Sequence, residues 1–188
     1  MNLRDMLFVS MFAAVVGVLG FLPAIPIPFS PVPITAQTLG VMLAGAVLGA
    51  KKGGLSLVIF LLLIVVGAPV LSGGRTGVSV FVGPSGGFLL SWPIAAYVIG
   101  WFVDHTKGNI SFWKIMLYTF IGGIVIVYLI GGAHMAFVMH IPLLKSYISS
   151  LIFIPGDIIK CLLASFLASQ LHRNSVMSRI SSNNRSAA

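Results

Sequence analysis

The chain has 188 residues, 58 % hydrophobic and only 7 % charged, with a mean hydropathy of +1.09. Soluble domains carry about 25 % charged residues, so a soluble globular fold is excluded. The net charge of +8 and the pI near 10.2 do not indicate a nucleic-acid binder, because the basic residues stand singly between apolar runs and form no aromatic–basic surface.

The apolar runs are about 20 residues long, the length that crosses a bilayer as a helix. Strand-like alternation is absent, which argues against a transmembrane barrel. These features predict an all-α membrane protein with six transmembrane helices. The first span runs Met6–Leu22. Arg4 before an apolar run resembles a signal peptide, but the stretch from Pro23 to Pro33 lacks a small-x-small cleavage site, so the span is expected to be retained. Ser10, Ala14 and Gly17 recur at i, i+4 and i+7 with Ala13 beside them. Small residues at this spacing let another helix approach, either within the same protein or from a partner.

Pro23, Pro26, Pro28, Pro31 and Pro33 follow, in an uncharged stretch. Proline fixes φ and removes a donor, so an extended, rigid loop is expected, lying on the bilayer surface or over a cavity as a lid. Thr35, Gln37 and Thr38 lead into the second span, Ile34–Leu48. Gln37 is a buried-amide candidate, for a helix–helix hydrogen bond or a ligand. A short basic turn, Gly49 to Gly54, precedes the third span, Leu55–Leu71. Arg75 lies in the flexible segment Ser72–Gly77, and Gly83-Pro-Ser-Gly-Gly87 opens the fourth span, Gly86–Val103.

The fifth span is Trp113–Ile130, and the segment Gly131–Lys145, with His134 and His140, is expected to stay near the membrane as an external loop. The sixth span, Ser146–Leu171, is expected to be interrupted at Pro155-Gly156. Residues 1–171 thus form one membrane domain, and 172–188 a polar tail expected to be disordered. Six spans place both termini on one side. Arg4, Lys51, Lys52, Lys107, Lys114, Arg173, Arg179 and Arg185 share that side, against Arg75 and Lys145 on the other, so both termini are predicted to be cytoplasmic.

Asp157 and Lys160 are the acid and base predicted to lie inside a span, and their i, i+3 spacing puts them on one helix face. Charges at membrane depth cost at least a few kcal/mol and face a protein interior or a wet cavity. The pair is either an ion pair that ties helices together or part of a ligand site. With Arg75 and Gln37 it can converge on an outward-facing cavity for a small polar or anionic molecule.

Other chemistries find little support. Gly83-Pro-Ser-Gly86 matches the Gly-x-Ser-Gly of rhomboid intramembrane proteases, but no histidine is expected inside a span to serve Ser85 as a base. Ser85 then caps a helix or contacts ligand. His134 and His140 have no cysteine or carboxylate near them in sequence, so no metal site is expected. Cys161 reads as a small buried hydrophobe. A phosphate-binding Gly-rich loop is absent, so any ATP-driven transport needs another subunit.

The stretches Phe21-Leu-Pro-Ala-Ile-Pro26, Pro31-Val-Pro-Ile-Thr-Ala-Gln-Thr-Leu-Gly40, Leu43-Ala-Gly45, Gly73-Gly74, Gly83-Pro-Ser-Gly-Gly87 and Ile154-Pro-Gly-Asp-Ile-Ile-Lys160 resemble the BioY family. Its members are biotin-binding S components of energy-coupling factor (ECF) transporters. The resemblance spans about Phe8 to Leu171. It implies an S-component bundle in a prokaryotic cytoplasmic membrane, with no enzymatic activity and no cofactor. Biotin would be captured from outside under a lid formed by the loop after the first helix. Asp157 would accept from the ureido N–H groups, and Lys160 would meet the carboxylate or steady the polar site. Arg75 stands at a polar position of the Gly-Gly loop where related chains carry Asn and is the other candidate to pair with the carboxylate, bidentately, and Phe88 stands where an aromatic packs on the bicycle. Ser10 and Ala14 match an Ala-x-x-x-Ala-like patch that docks the ECF transmembrane coupling subunit, which works with two ATPase subunits. The alternatives are a solitary biotin carrier without ATPase partners and an S component for another vitamin.

Overall fold

Long apolar runs can bury their backbone polar groups only by pairing them internally, and helices do this within one segment. The chain does so throughout, in a computed structural model that describes residues 3–28, 30–106 and 110–185. Helix α1 is Leu3–Gly20. A two-stranded antiparallel hairpin follows, β1 (Ile25–Ile27) and β2 (Ser30–Ile34). Then come α2 (Gln37–Leu48), α3 (Ala50–Val66), the short α4 (Ser79–Val82) and α5 (Gly86–Asp104). Helices α6 (Phe112–Phe120) and α7 (Val127–Met139) are joined by a π-helical stretch, Ile121–Ile126, into one continuous rod. Helix α8 (Leu143–Ser150) leads through a 3₁₀ turn, Leu151–Phe153, into α9 (Ile154–Arg185).

Four of these segments are long and apolar enough to cross a membrane: α1, α5, α6–α7 and α8–α9. The shorter α2 and α3 complete the six segments expected. Helix α5 is the centre, packing against α2, α3 and α7. Of its apolar window 61 % is buried, against 33 % for α1, so α1 keeps most of its surface for lipid or a partner. Leu62, Val66, Leu163 and Phe166 likewise point outward from α3 and α9, as apolar side chains do when the solvent is lipid.

Several boundaries differ from those expected, each for a local reason. The proline loop is a hairpin. Its paired residues are Ile25, Ile27, Ser30 and Ile34, so Pro26, Pro31 and Pro33 alternate with them and cost no ladder bond. The turn between α2 and α3 shrinks to Gly49, whose φ of +80° suits glycine. Lys51 and Lys52 therefore lie in the first turn of α3 rather than in a loop. Asp104 offsets that placement by accepting from Ala50 N at 2.8 Å, and Lys52 pairs with Asp5 of α1.

The expected loop after Ile130 is helix as far as Met139, so His134 is a helical residue, and His140 ends α7 in the left-handed conformation. The sixth segment is not broken at Pro155-Gly156. The interruption is the 3₁₀ turn just before, and Pro155 falls in the first turn of α9, where a missing N–H has no acceptor to lose. The polar tail continues α9 to Arg185 instead of leaving the helix at His172, because no glycine or proline follows Gly156 to stop it.

Candidate ligand-binding site

At the hairpin end of the bundle a cavity of about 590 Å³, counting its open mouth, lies between α2, α5, α7 and α9. Val32, Pro33 and Ile34 of β2 form one wall, and Ile34 reaches Gly156 at the head of α9. All six residues singled out as ligand candidates line it: Gln37, Arg75, Ser85, Phe88, Asp157 and Lys160. They come from four different elements, which the fold alone brings together.

Two polar groups can be told apart. The first centres on Asp157, buried in the first turn of α9. Its Oδ1 accepts from Lys160 Nζ at 2.8 Å and from Thr38 Oγ1 at 3.3 Å, and its Oδ2 accepts from the Tyr128 hydroxyl. Lys160 Nζ also donates to Thr38 Oγ1 at 3.0 Å. The network therefore ties α2, α7 and α9, and it neutralises both charges. Thr38 and Tyr128 carry no assigned role in the sequence reading. Tyr128 was detectable in principle: a hydroxyl inside a predicted span needs a partner at that depth.

The second group centres on Arg75. Its turn is built on Gly73 and Gly74, with φ of 77° and 70°, which L side chains rarely adopt. Thr76 Oγ1 fastens the turn to the end of α3 by donating to Ile64 O at 3.1 Å and Ala68 O at 2.9 Å. Gln37 holds it from the other side. Its Nε2 donates to Val16 O at 3.2 Å and Val70 O at 3.1 Å, and its Oε1 accepts from Ser72 N at 3.4 Å. Gln37 is 1 % exposed, and its amide is committed to backbone, so it positions the Arg75 turn rather than offering polar atoms to the cavity. Arg75 Nη1 donates to Ser85 Oγ at 3.4 Å and Nε to Ser72 O at 3.4 Å. Both contacts are longer than an ordinary N–H···O hydrogen bond, and Arg75 makes no ion pair among the described residues.

Ser85 occupies the N-cap position of α5 without a side-chain cap bond; its hydroxyl serves Arg75. His134 lies in α7 against Gly87, yet no hydrogen bond joins it to Ser85 among the described residues. The nucleophile–base pair a protease needs is therefore not assembled.

The apolar wall is aromatic. Phe88 meets Tyr128 and Phe153 edge-on, with centroids at 6.5 and 6.4 Å and interplanar angles of 78°. Gly131 makes room for it: a Cβ there would strike the Phe88 ring. Trp92 closes the wall one turn further along α5, stacked on Phe60 at 5.8 Å, and its indole N–H has no acceptor among the described residues. No cluster of metal-ligating side chains occurs among the described residues.

The four small residues of α1 do not share one environment. Ala13 and Gly17 are buried inside the bundle, with Gly17 close to Val70 and Phe60, whereas Ser10 and Ala14 are exposed beside Leu7, Met11 and Val18. The stripe spans the edge between the packed and the open face.

The model of the BioY family matches residues 1–176. The chain belongs to the BioY family. A Rhizobium etli protein named biotin transporter BioY is 44 % identical over 172 residues, covering 89 % of this chain and 92 % of that protein. A Bacillus subtilis protein named probable biotin transporter BioY is 44 % identical over 168 residues, covering 89 % and 90 %. Among solved structures, the S component for biotin from an ECF-type ABC transporter superposes with a TM-score of 0.85 at 36 % identity, covering 92 % of this chain and 95 % of that one. Membership of the BioY family makes this a membrane transport protein, with the cavity described above at one end of its bundle.

Proposed function

We propose that this chain is the membrane-embedded substrate-binding subunit that captures biotin from outside the cell and delivers it across the membrane together with an ECF coupling module. One observation carries the assignment of the site: the polar corner of the cavity is complementary to a cyclic urea. Lys160 has three N–H donors and uses two, leaving one for a ureido carbonyl. Asp157 Oδ2 has a lone pair beyond the one taken by Tyr128, and the Tyr128 oxygen can accept in turn, so two ureido N–H groups find acceptors. The aromatic wall of Phe88, Tyr128 and Phe153 suits the apolar bicycle, and the β1–β2 hairpin is the lid. The site chemistry needs neither cofactor nor metal.

The test is an equilibrium titration of the purified protein with biotin, alongside Asp157→Asn. Tight binding in the parent and its loss in the variant support the assignment. A folded parent that does not bind biotin overturns it.

The exposed face of α1 is the docking surface for the transmembrane coupling subunit, which works with two ATPase subunits. Ser10 and Ala14 are the open part of the stripe, small enough for a helix to approach closely. Ala14→Trp is expected to spare biotin binding and abolish co-purification with the coupling subunit. Gly17→Trp is expected to disturb the bundle itself, because Val70 and Phe60 already occupy that side. Unchanged assembly in Ala14→Trp would remove this face from consideration.

A further inference from the structure

The chain has three acidic residues, and each is engaged: Asp5 pairs with Lys52, Asp104 accepts from Ala50 N at 2.8 Å, and Asp157 pairs with Lys160. Lys51, exposed in the first turn of α3, has no counter-charge and no hydrogen bond from its ammonium among the described residues. It lies at the end of the bundle that carries the termini, opposite the cavity. There α3 runs against the last turns of α5. A Cβ on Gly54, one turn along α3 from Lys51, would lie 3.4 Å from the Tyr97 Cβ, and Gly100 abuts Ala50. Trp101 follows Tyr97 by one turn and so shares its face of α5, at the level of Lys51. Tyr97 and Trp101 are 46 % and 44 % exposed. Neither the phenol hydroxyl nor the indole N–H has a partner among the described residues. On a lipid-facing surface such groups find their partners in the headgroup and glycerol region.

Three donors therefore collect at one end of the groove between α3 and α5. Beyond them the groove is apolar, with Val58 and Leu62 of α3 and Ile94 of α5 exposed. From Lys51 to Leu62 it runs roughly 16 Å, about half the hydrocarbon thickness and so the depth of one leaflet.

We infer that this groove holds one anionic phospholipid, its phosphate on Lys51, Tyr97 and Trp101 and an acyl chain along Val58, Leu62 and Ile94. The placement of the donors at one end of an apolar track fits a lipid better than an acidic protein segment, which has no chain to lay along the track. A zwitterionic headgroup brings its own cation beside Lys51, so an anionic one is preferred.

The experiment counts the phospholipid retained by the purified full chain in native mass spectrometry, after equilibration in detergent with phosphatidylglycerol or with phosphatidylcholine of the same acyl chains. The parent is expected to retain one phosphatidylglycerol, about fivefold in preference to phosphatidylcholine, the attraction of one basic residue at an anionic leaflet. Lys51→Gln is expected to abolish the preference with its unfolding midpoint unchanged. Lys114→Gln, at an exposed cation of α6 outside the groove, is expected to keep it. Equal retention of the two lipids by the parent overturns the inference without any variant having to fold. So does a preference that survives Lys51→Gln, or one lost equally in Lys114→Gln, which would mean diffuse attraction to the whole basic rim. Displacement of the lipid by soluble glycerophosphoglycerol at matched concentration overturns it as well, because the apolar track would then contribute nothing.

Discussion

The two polar groups of the cavity are built on opposite plans. Around Asp157, a carboxylate, an ammonium and two hydroxyls from three helices satisfy one another. Around Arg75, a glycine turn pinned by Gln37 and Thr76 presents a cation with only two long contacts. In the first group the polar atoms hold the fold and, in the function proposed above, bind ligand with what remains; in the second they are held by the fold and kept available. Removing an atom from the first should therefore cost stability and binding together, whereas changes at Arg75 should separate the two.

The largest effect is expected at Asp157. Asp157→Leu leaves Lys160 buried without its counter-charge and is expected to destabilise the protein by about 3 kcal/mol and to abolish biotin binding. Adding Lys160→Met should recover most of the stability and none of the binding, as read by thermal unfolding in detergent and by titration. A double variant no more stable than the single one would mean that the pair does not act as a unit.

Gln37→Leu comes next. It strips Ser72 N, Val16 O and Val70 O of their partner and is expected to cost about 1–3 kcal/mol, with weaker biotin binding through a loosened Arg75 turn. Restoration of affinity by Gln37→Glu, which keeps an acceptor for Ser72 N, would attribute the loss to that turn. Tyr128→Phe removes one donor to Asp157 and one acceptor for ligand while leaving the aromatic wall, so about 1 kcal/mol of stability and roughly 10-fold in affinity are expected to go together. The smallest stability change is expected for Arg75→Met, close to zero in unfolding midpoint, since no ion pair is lost. A clear fall in its midpoint would erase the contrast between the two groups.

Much of this was legible in the order of residues. Six apolar segments follow from run length, because a bilayer admits helices of nearly one length. Asp157 and Lys160 stood out because charge at membrane depth is costly and must be answered by structure or ligand. Proline spacing announced an extended segment, though not that its non-proline residues would pair. Other features were hidden for physical reasons. The helical course of residues 131–139 was hidden because Gly131 and Gly132, poor helix formers by themselves, admit Phe88 and Tyr147 against the helix here. Pro155 looked like an interruption because its effect depends on whether the helix has already begun.

Spacing along a helix determines which residues share a face, and run length determines how much of the chain enters the membrane. These are local properties, and the amino-acid sequence settled them here. The direction in which each face points is decided by packing. Only the tertiary structure turned Ala13 and Gly17 inward and left Ser10 and Ala14 open, committed Gln37 to backbone, and placed Thr38 and Tyr128 on Asp157. It also separated the two cations: Lys160 finds its counter-charge one helical turn away on its own helix, while Arg75 sits on a turn whose glycines and fastenings hold it in the cavity wall beyond the reach of any carboxylate among the described residues.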